Sequence, residues 1–247
     1  MNENDFLLTE RKKTPSFFIF MAILGLLAVL IGFGKTFIIP TATGTFSAPL
    51  IIHIHGAFAF SWIALFLIQT LLIRNRKYSL HQTLGILGIC IAAGVMVTMI
   101  LVGKYVVGRD LKQGLGEFSY SSLIGVITSG FMFFTLVLFG ILKRKNAAPH
   151  KRFMLLATIV VLWPAWFRFR HYFPSVPRPD IWFAIVLAYS LIIIAWIWDK
   201  LRNGVIHPVL KYGGLFIILE QTFEVFAFDS PMWRSIAKWI YFILQSG

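Results

Sequence analysis

The chain alternates between apolar runs and short breaks that are basic or rich in Gly, Pro, Ser and Thr. Several of the runs reach the roughly 18–20 residues that a helix needs to cross a bilayer. Composition points the same way: 58% of the residues are hydrophobic and 13% charged, against about 25% charged in an average soluble domain. Runs of this length are used up by packed transmembrane helices and leave no room for a separate soluble domain. The chain is therefore expected to be all-α, a polytopic membrane helix bundle forming one integral-membrane domain over residues 1–247.

The breaks predict seven transmembrane helices at about residues 15–38, 50–73, 81–103, 118–142, 151–172, 180–198 and 209–228. Thr14 is placed as the first N-cap, ahead of Pro15, and the segment 40–49 ends that helix. The first run follows Arg11-Lys12-Lys13, as in a signal peptide. It continues to about Phe33 without a small-x-small cleavage site and reads as an uncleaved helix. Pro164 is expected to kink the fifth helix and free a backbone carbonyl inside the membrane. Small residues at close-approach spacing (Gly25 with Gly32, Gly88 with Ala92, Gly125 with Ser129) mark tight helix contacts. A short interfacial helix is expected at about 231–244, where Trp233, Ile236, Ala237, Ile240, Tyr241 and Leu244 form a stripe and Arg234 and Lys238 lie off it.

With 23 Lys and Arg against 10 Asp and Glu, the net charge is +13. In a soluble protein that balance would suggest nucleic acid. Here the cations cluster at the ends of apolar runs, where they set orientation and meet anionic headgroups. The lipid bilayer is the expected partner, and nucleic acid is not. Counting Lys and Arg at alternate ends gives 14 on the side of residues 11–13, 74–77, 143–152 and 200–211, and nine on the other. That bias predicts a cytoplasmic (inner) membrane protein, multi-pass, with its N-terminus cytoplasmic and its C-terminus outside. The single cysteine, Cys90, lies in an apolar run, which rules out an intramolecular disulfide and argues against a Cys-based metal site.

Polar groups in hydrocarbon are costly and usually have a reason to be there. His55, Trp62 and Gln69 fall seven residues apart on one face of the second helix, either bonding neighbouring helices or lining a pocket or proton path. His81 opens the third helix and His150 the fifth, both on the cytoplasmic side, so the two imidazoles can face one another and ligate a haem iron or a metal. On the outer side His53, His55, Arg168, Arg170 and His171 can converge, with Arg168 an anion or propionate contact. Glu220 and Glu224 share a face of the seventh helix and need a partner or a proton. Arg168 is the expected partner, and His53, His55, Glu220 and Glu224 are the candidate metal ligands. No nucleophile elbow, zincin, phosphate-loop or dinucleotide motif is present.

His55-Gly56, Gln69, the basic turn Arg74–Lys77, His81-x-x-Leu84-Gly85, His150-Lys151-Arg152-Phe153-Met154 and Arg168 together resemble a widespread family of bacterial multi-pass membrane proteins of unknown function, over roughly residues 35–170. A weaker similarity is to di-haem b-type cytochromes of the b561 group and to ferric reductases. It implies haem b, with His81 and His150 as an inner ligand pair and His55 and His171 as an outer one. The leading functional reading is a histidine-ligated haem or metal redox protein with a membrane redox or assembly partner. The alternatives are a proton-coupled transporter using Glu220, Glu224, Arg168 and His55, and a non-catalytic assembly or interaction protein.

Overall fold

The computed structural model describes residues 16–246; the Arg11-Lys12-Lys13 cluster, Thr14 and Pro15 lie outside the described residues. Every regular element among the described residues is helical. Six helices are long and apolar enough to cross a membrane: α1 (Ser16–Ala42), α2 (Leu50–Arg74), α3 (Tyr78–Lys112), α4 (Gly116–Leu142), α5 (Ala147–His171) and α6 (Pro179–Asn203). The protein is thus a multi-pass integral membrane protein. A further helix, α7 (209–227), carries Lys211, Glu220 and Glu224 and is not among the six. α8 (Pro231–Ser246) follows it.

α5 is the axis of the bundle. Within its most apolar stretch 56% of residues are buried, against 22–39% in the other five spans. Leu155, Leu156, Ile159 and Leu162 meet Val95 of α3, Phe133 of α4 and Leu191 and Ile192 of α6 in the main core. The small-residue pairs mark real contacts: Gly25 and Gly32 of α1 abut Leu162 and Ala165 of α5, and Gly88 of α3 abuts Leu65 of α2. Ring contacts fix which ends lie together. Phe17 stacks on Trp198 at 4.2 Å, and Lys151 lies over Phe18. This near end therefore holds the start of α1 and α5 and the close of α6. At the far end Tyr172 donates to the Ile31 carbonyl, and Arg168 stacks over Phe33.

Several boundaries differ from those expected, for local reasons. α5 begins at Ala147 because the Asn146 side chain accepts from the Ala148 N–H at 3.1 Å, a regular N-cap. α3 begins at Tyr78. Both histidines, His81 and His150, therefore sit inside the first turn of their helices. α3 also continues to Lys112, well past residue 103, since its last turns have a packing partner. Val107, Tyr120, Leu123, Ala237 and Tyr241 form a second apolar cluster with α4 and α8, and tertiary packing supplies most helical stability. Pro164 lies inside the α-helical part of α5, which runs to Phe167 before tightening into a 3-10 turn over Arg168–His171.

α8 lies across the far ends of α3 and α4. Trp233, Ala237 and Tyr241 face inward, while Trp239, Phe242 and Ile243 on the other side are exposed. Polar contacts pin it: Trp233 Nε1 donates to the Ser121 carbonyl, Lys238 pairs with Glu117, and Lys104 Nζ donates to the Leu244 carbonyl. Asp229, in the turn before α8, accepts from Arg234 Nε at 3.0 Å and from Ser121 Oγ at 2.7 Å. The Arg234 guanidinium and that hydroxyl hold the Asp229 carboxyl below its ordinary range. A depressed folded-state value contributes stability above the unfolded value of about 3.9 and loses it as pH falls through the folded value. Amide protection over residues 231–246, taken against the intrinsic exchange rate at each pH, is therefore expected to hold from pH 7 to about 5 and to fall below about 4. The Lys238–Glu117 pair also holds α8 and is also lost in acid, so Asp229→Asn should shrink the acid-dependent step, and Asp229→Asn combined with Glu117→Gln should remove it.

Candidate functional site

Toward the far end, α1 to α7 part around a cavity of about 1170 Å³. Its walls are largely apolar, with Phe33, Phe37, Ile52, Val126, Phe133 and Val160 among them. Two breaks in regular helix geometry shape it. Within α1 the wider turn Gly34–Ile38 brings Thr36, Phe37 and Ile38 into the wall, and within α6 the turn Trp182–Leu187 contributes Ala184. Such π segments recur at functional sites, because one extra residue per turn re-aims the side chains beyond it.

The polar lining divides into satisfied and unsatisfied groups. Glu224 is satisfied: it takes the Thr128 hydroxyl and lies against Gly125, where no side chain intervenes. Gln221, 3% exposed, accepts from the Tyr189 hydroxyl at 3.0 Å and donates to Ser129 and to Glu220. His55 Nδ1 lies 2.9 Å from Thr98 Oγ1, whose own hydroxyl reaches the Gly94 carbonyl at 2.6 Å. That carbonyl can only accept, so the Thr98 proton goes to it and His55 Nδ1 donates. His55 Nε2 is left as the acceptor.

Arg168 is different. It enters the cavity wall from the end of α5, donates one N–H to the Pro164 carbonyl at 2.9 Å, and lies 4.1 Å over the Phe33 ring. No ion pair among the described residues includes it. The expected Arg168 pairing with Glu220 or Glu224 does not form; the glutamates are held instead by Thr128 and Gln221. Two further donors in the wall, Thr36 Oγ1 and Trp163 Nε1, are buried with no hydrogen-bond partner. Lys35 and Arg170, near the rim, bind only backbone carbonyls and ring faces: Lys35 the His171 carbonyl and Tyr172, Arg170 the Phe167 carbonyl and ring. The far mouth thus collects cations and unpaired donors. Buried polar groups without partners are rare and need an explanation.

The other residues singled out from the sequence are dispersed. His53 packs between the rings of Phe37 and Phe46. His171 is exposed. Trp62 donates to Thr158 of α5, and Gln69 donates to the His81 carbonyl, so each member of the His55–Trp62–Gln69 face bonds a neighbouring helix. Among the described residues no three His, Cys, Asp or Glu side chains converge in metal-binding geometry. At the near end, His81 and His150 stand with ring centres 6.3 Å apart.

One charged network went unnoticed in the sequence. Arg152, 4% exposed, forms a two-pronged pair with fully buried Asp199 of α6 and also donates to the Ala148 carbonyl. Asp199 further accepts from Asn203 and from the His207 N–H at 2.7 Å. Its signal was a lone carboxylate at the end of an apolar run, Trp196-Ile197-Trp198-Asp199. Thr36 and Trp163 carry no comparable signal, since only the packing leaves them unpaired.

Comparison of the chain with protein-family models, with curated proteins and with solved structures gives no match.

Proposed function

We propose that this is a seven-crossing protein of a bacterial cytoplasmic membrane, N-terminus inside, that binds an amphipathic small molecule with an anionic head in its far-end cavity. Two contacts support α7 as the seventh crossing. The His207 N–H is bonded to Asp199 at the near end, and Asp229 to Ser121 at the far end. The 19 residues between Val209 and Ala227 cover about 28 Å as a helix, close to the roughly 30 Å of hydrocarbon. Phe216, Leu219, Phe223 and Phe226 are exposed as a lipid-facing side, while Gln221 and Glu224 turn inward. The excess of Lys and Arg at the near end supports its placement in the cytoplasm.

The unpaired Arg168 guanidinium carries the ligand reading. A half-buried cation among apolar walls, in a cavity whose lining also holds the unpaired Thr36 and Trp163 side chains, asks for an acceptor that brings its own negative charge. The apolar lining and the volume, somewhat above the usual range of small-molecule sites, call for a large hydrophobic body behind that head. Carboxylates and phosphates on an alkyl or isoprenoid chain fit both demands.

The test is to titrate delipidated protein in nonionic detergent with a long-chain fatty acid and with its methyl ester. The acid should bind more tightly than the ester. Arg168→Gln should weaken the acid by about 10- to 100-fold, the value of a charge-assisted hydrogen bond, and leave the ester unchanged. Equal affinity of wild type and Arg168→Gln for the acid would refute the assignment. Bis-histidine haem ligation gains nothing from this cavity, where His55 is the only histidine among the lining residues.

A further inference from the structure

At the near end the unsatisfied buried atoms are a histidine ring nitrogen and an amide oxygen, His81 Nδ1 and Gln69 Oε1. We infer that His81 and His150 form a two-imidazole site for a transition metal. His150 Nδ1 lies 2.7 Å from the Gly140 carbonyl oxygen. A carbonyl only accepts, so the Nδ1–H is committed there and Nε2 carries the free lone pair. This is the arrangement by which metal-binding histidines are oriented: one nitrogen donates to a carbonyl and the other is presented to the metal.

His81 supplies the second ring. Its Nδ1 is buried and has no hydrogen-bond partner. Gln69, whose Nε2 is engaged with the His81 carbonyl, leaves its Oε1 buried and unpaired as well. The neighbourhood therefore offers imidazole nitrogens and an amide oxygen, while two of its N–H groups are already taken by backbone carbonyls. An electron-pair acceptor is what such a set lacks. Imidazole nitrogens suit zinc, copper, iron and nickel.

The spacing fits one shared metal. With metal–nitrogen bonds of about 2.0–2.1 Å, two rings on one metal have centres roughly 5 to 6.5 Å apart, depending on the angle between them. The observed 6.3 Å lies at the wide-angle end, with the ring planes crossed at 89°. Ligation close to trans suits either the iron of a planar macrocycle or a free ion completed by water. The site is independent of the far-end cavity, whose lining includes neither histidine.

Two probes distinguish the sources. Full-length protein, expressed in a haem-deficient host and freed of metal ions with chelator in mild detergent, is titrated with haemin, followed by the shift of its Soret band, and separately with Co2+, followed by its visible ligand-field bands. One of the two is expected to bind at one equivalent per chain. His81→Ala and His150→Ala should each weaken that binding at least 10-fold, and His53→Ala should match wild type. His150→Asn is the folded control: its amide can still donate to the Gly140 carbonyl, yet it has no Nε2 ligand, so it should keep wild-type thermal stability and lose the metal. Failure of both probes to bind saturably would overturn the assignment. So would His150→Asn or His81→Ala binding at wild-type strength.

Discussion

Asp199→Ala is expected to destabilise the bundle by about 3–5 kcal/mol, the cost of leaving a buried charge unpaired. Arg152 is 4% exposed and cannot reach water by swinging outward. Without the carboxylate it retains only the Ala148 carbonyl. The same substitution removes the acceptor for Asn203 and for the His207 N–H, and so loosens the connection that leads from α6 into α7. Asp199→Asn keeps the shape and some of the hydrogen bonding and should cost less. Replacing both partners by apolar residues, Arg152→Met with Asp199→Leu, should recover most of the loss, because the expense lies in an unmatched charge more than in the absence of the pair. Thermal or detergent-induced unfolding of the purified variants reads all three. A loss below about 1 kcal/mol in Asp199→Ala, the range of an exposed pair, would mean that water reaches Arg152.

The second large effect is expected at Gly32. A methyl added there would lie 2.9 Å from the Ala165 carbonyl carbon and 3.0 Å from its Cα, and closer still to the oxygen. Those are backbone atoms of the central helix, so no rotamer change relieves the clash and α1 must move away from α5. Overpacking of this kind costs about 1–3 kcal/mol. Gly25 is the internal comparison. It faces Leu162 Cδ1 at 2.9 Å, the end of a side chain that can turn aside. The roughly 1 kcal/mol that alanine gains over glycine in a helix should then offset much of the strain. Gly32→Ala should therefore unfold at a clearly lower temperature than Gly25→Ala. Phe33 follows Gly32 and carries the Arg168 stack, so Gly32→Ala should also weaken binding of the anionic probe. Equal melting temperatures for the two variants would show that α1 yields freely.

Particular residues show where reading the sequence worked and where it stopped. The helices were legible because apolar runs and their breaks carry period and length. Boundaries slipped where capping or packing decided them, as at Asn146 and at the long end of α3, whose partner α8 lies about 130 residues away in the chain. The histidines at the two helix starts were visible as residues. Their 6.3 Å separation was not, because spacing within one helix says nothing about a neighbour. Arg168 was assigned to the wrong partner: charge complementarity suggested Glu220 and Glu224, and the geometry gave those carboxylates to Gln221 and Thr128.

By itself the sequence determined that the chain is a helical membrane protein, because hydrocarbon tolerates long apolar helices and penalises almost everything else. It also located the few polar residues that had to be accounted for. Which of them are already satisfied was set by how the helices pack. Hydrogen bonds between helices depend on orientation within a few tenths of an ångström, and no periodicity encodes that. The outcome is a far end where Arg168 lacks an ion-pair partner and Thr36 and Trp163 lack hydrogen-bond partners, and a near end where His81 Nδ1 and Gln69 Oε1 are unpaired beside His150.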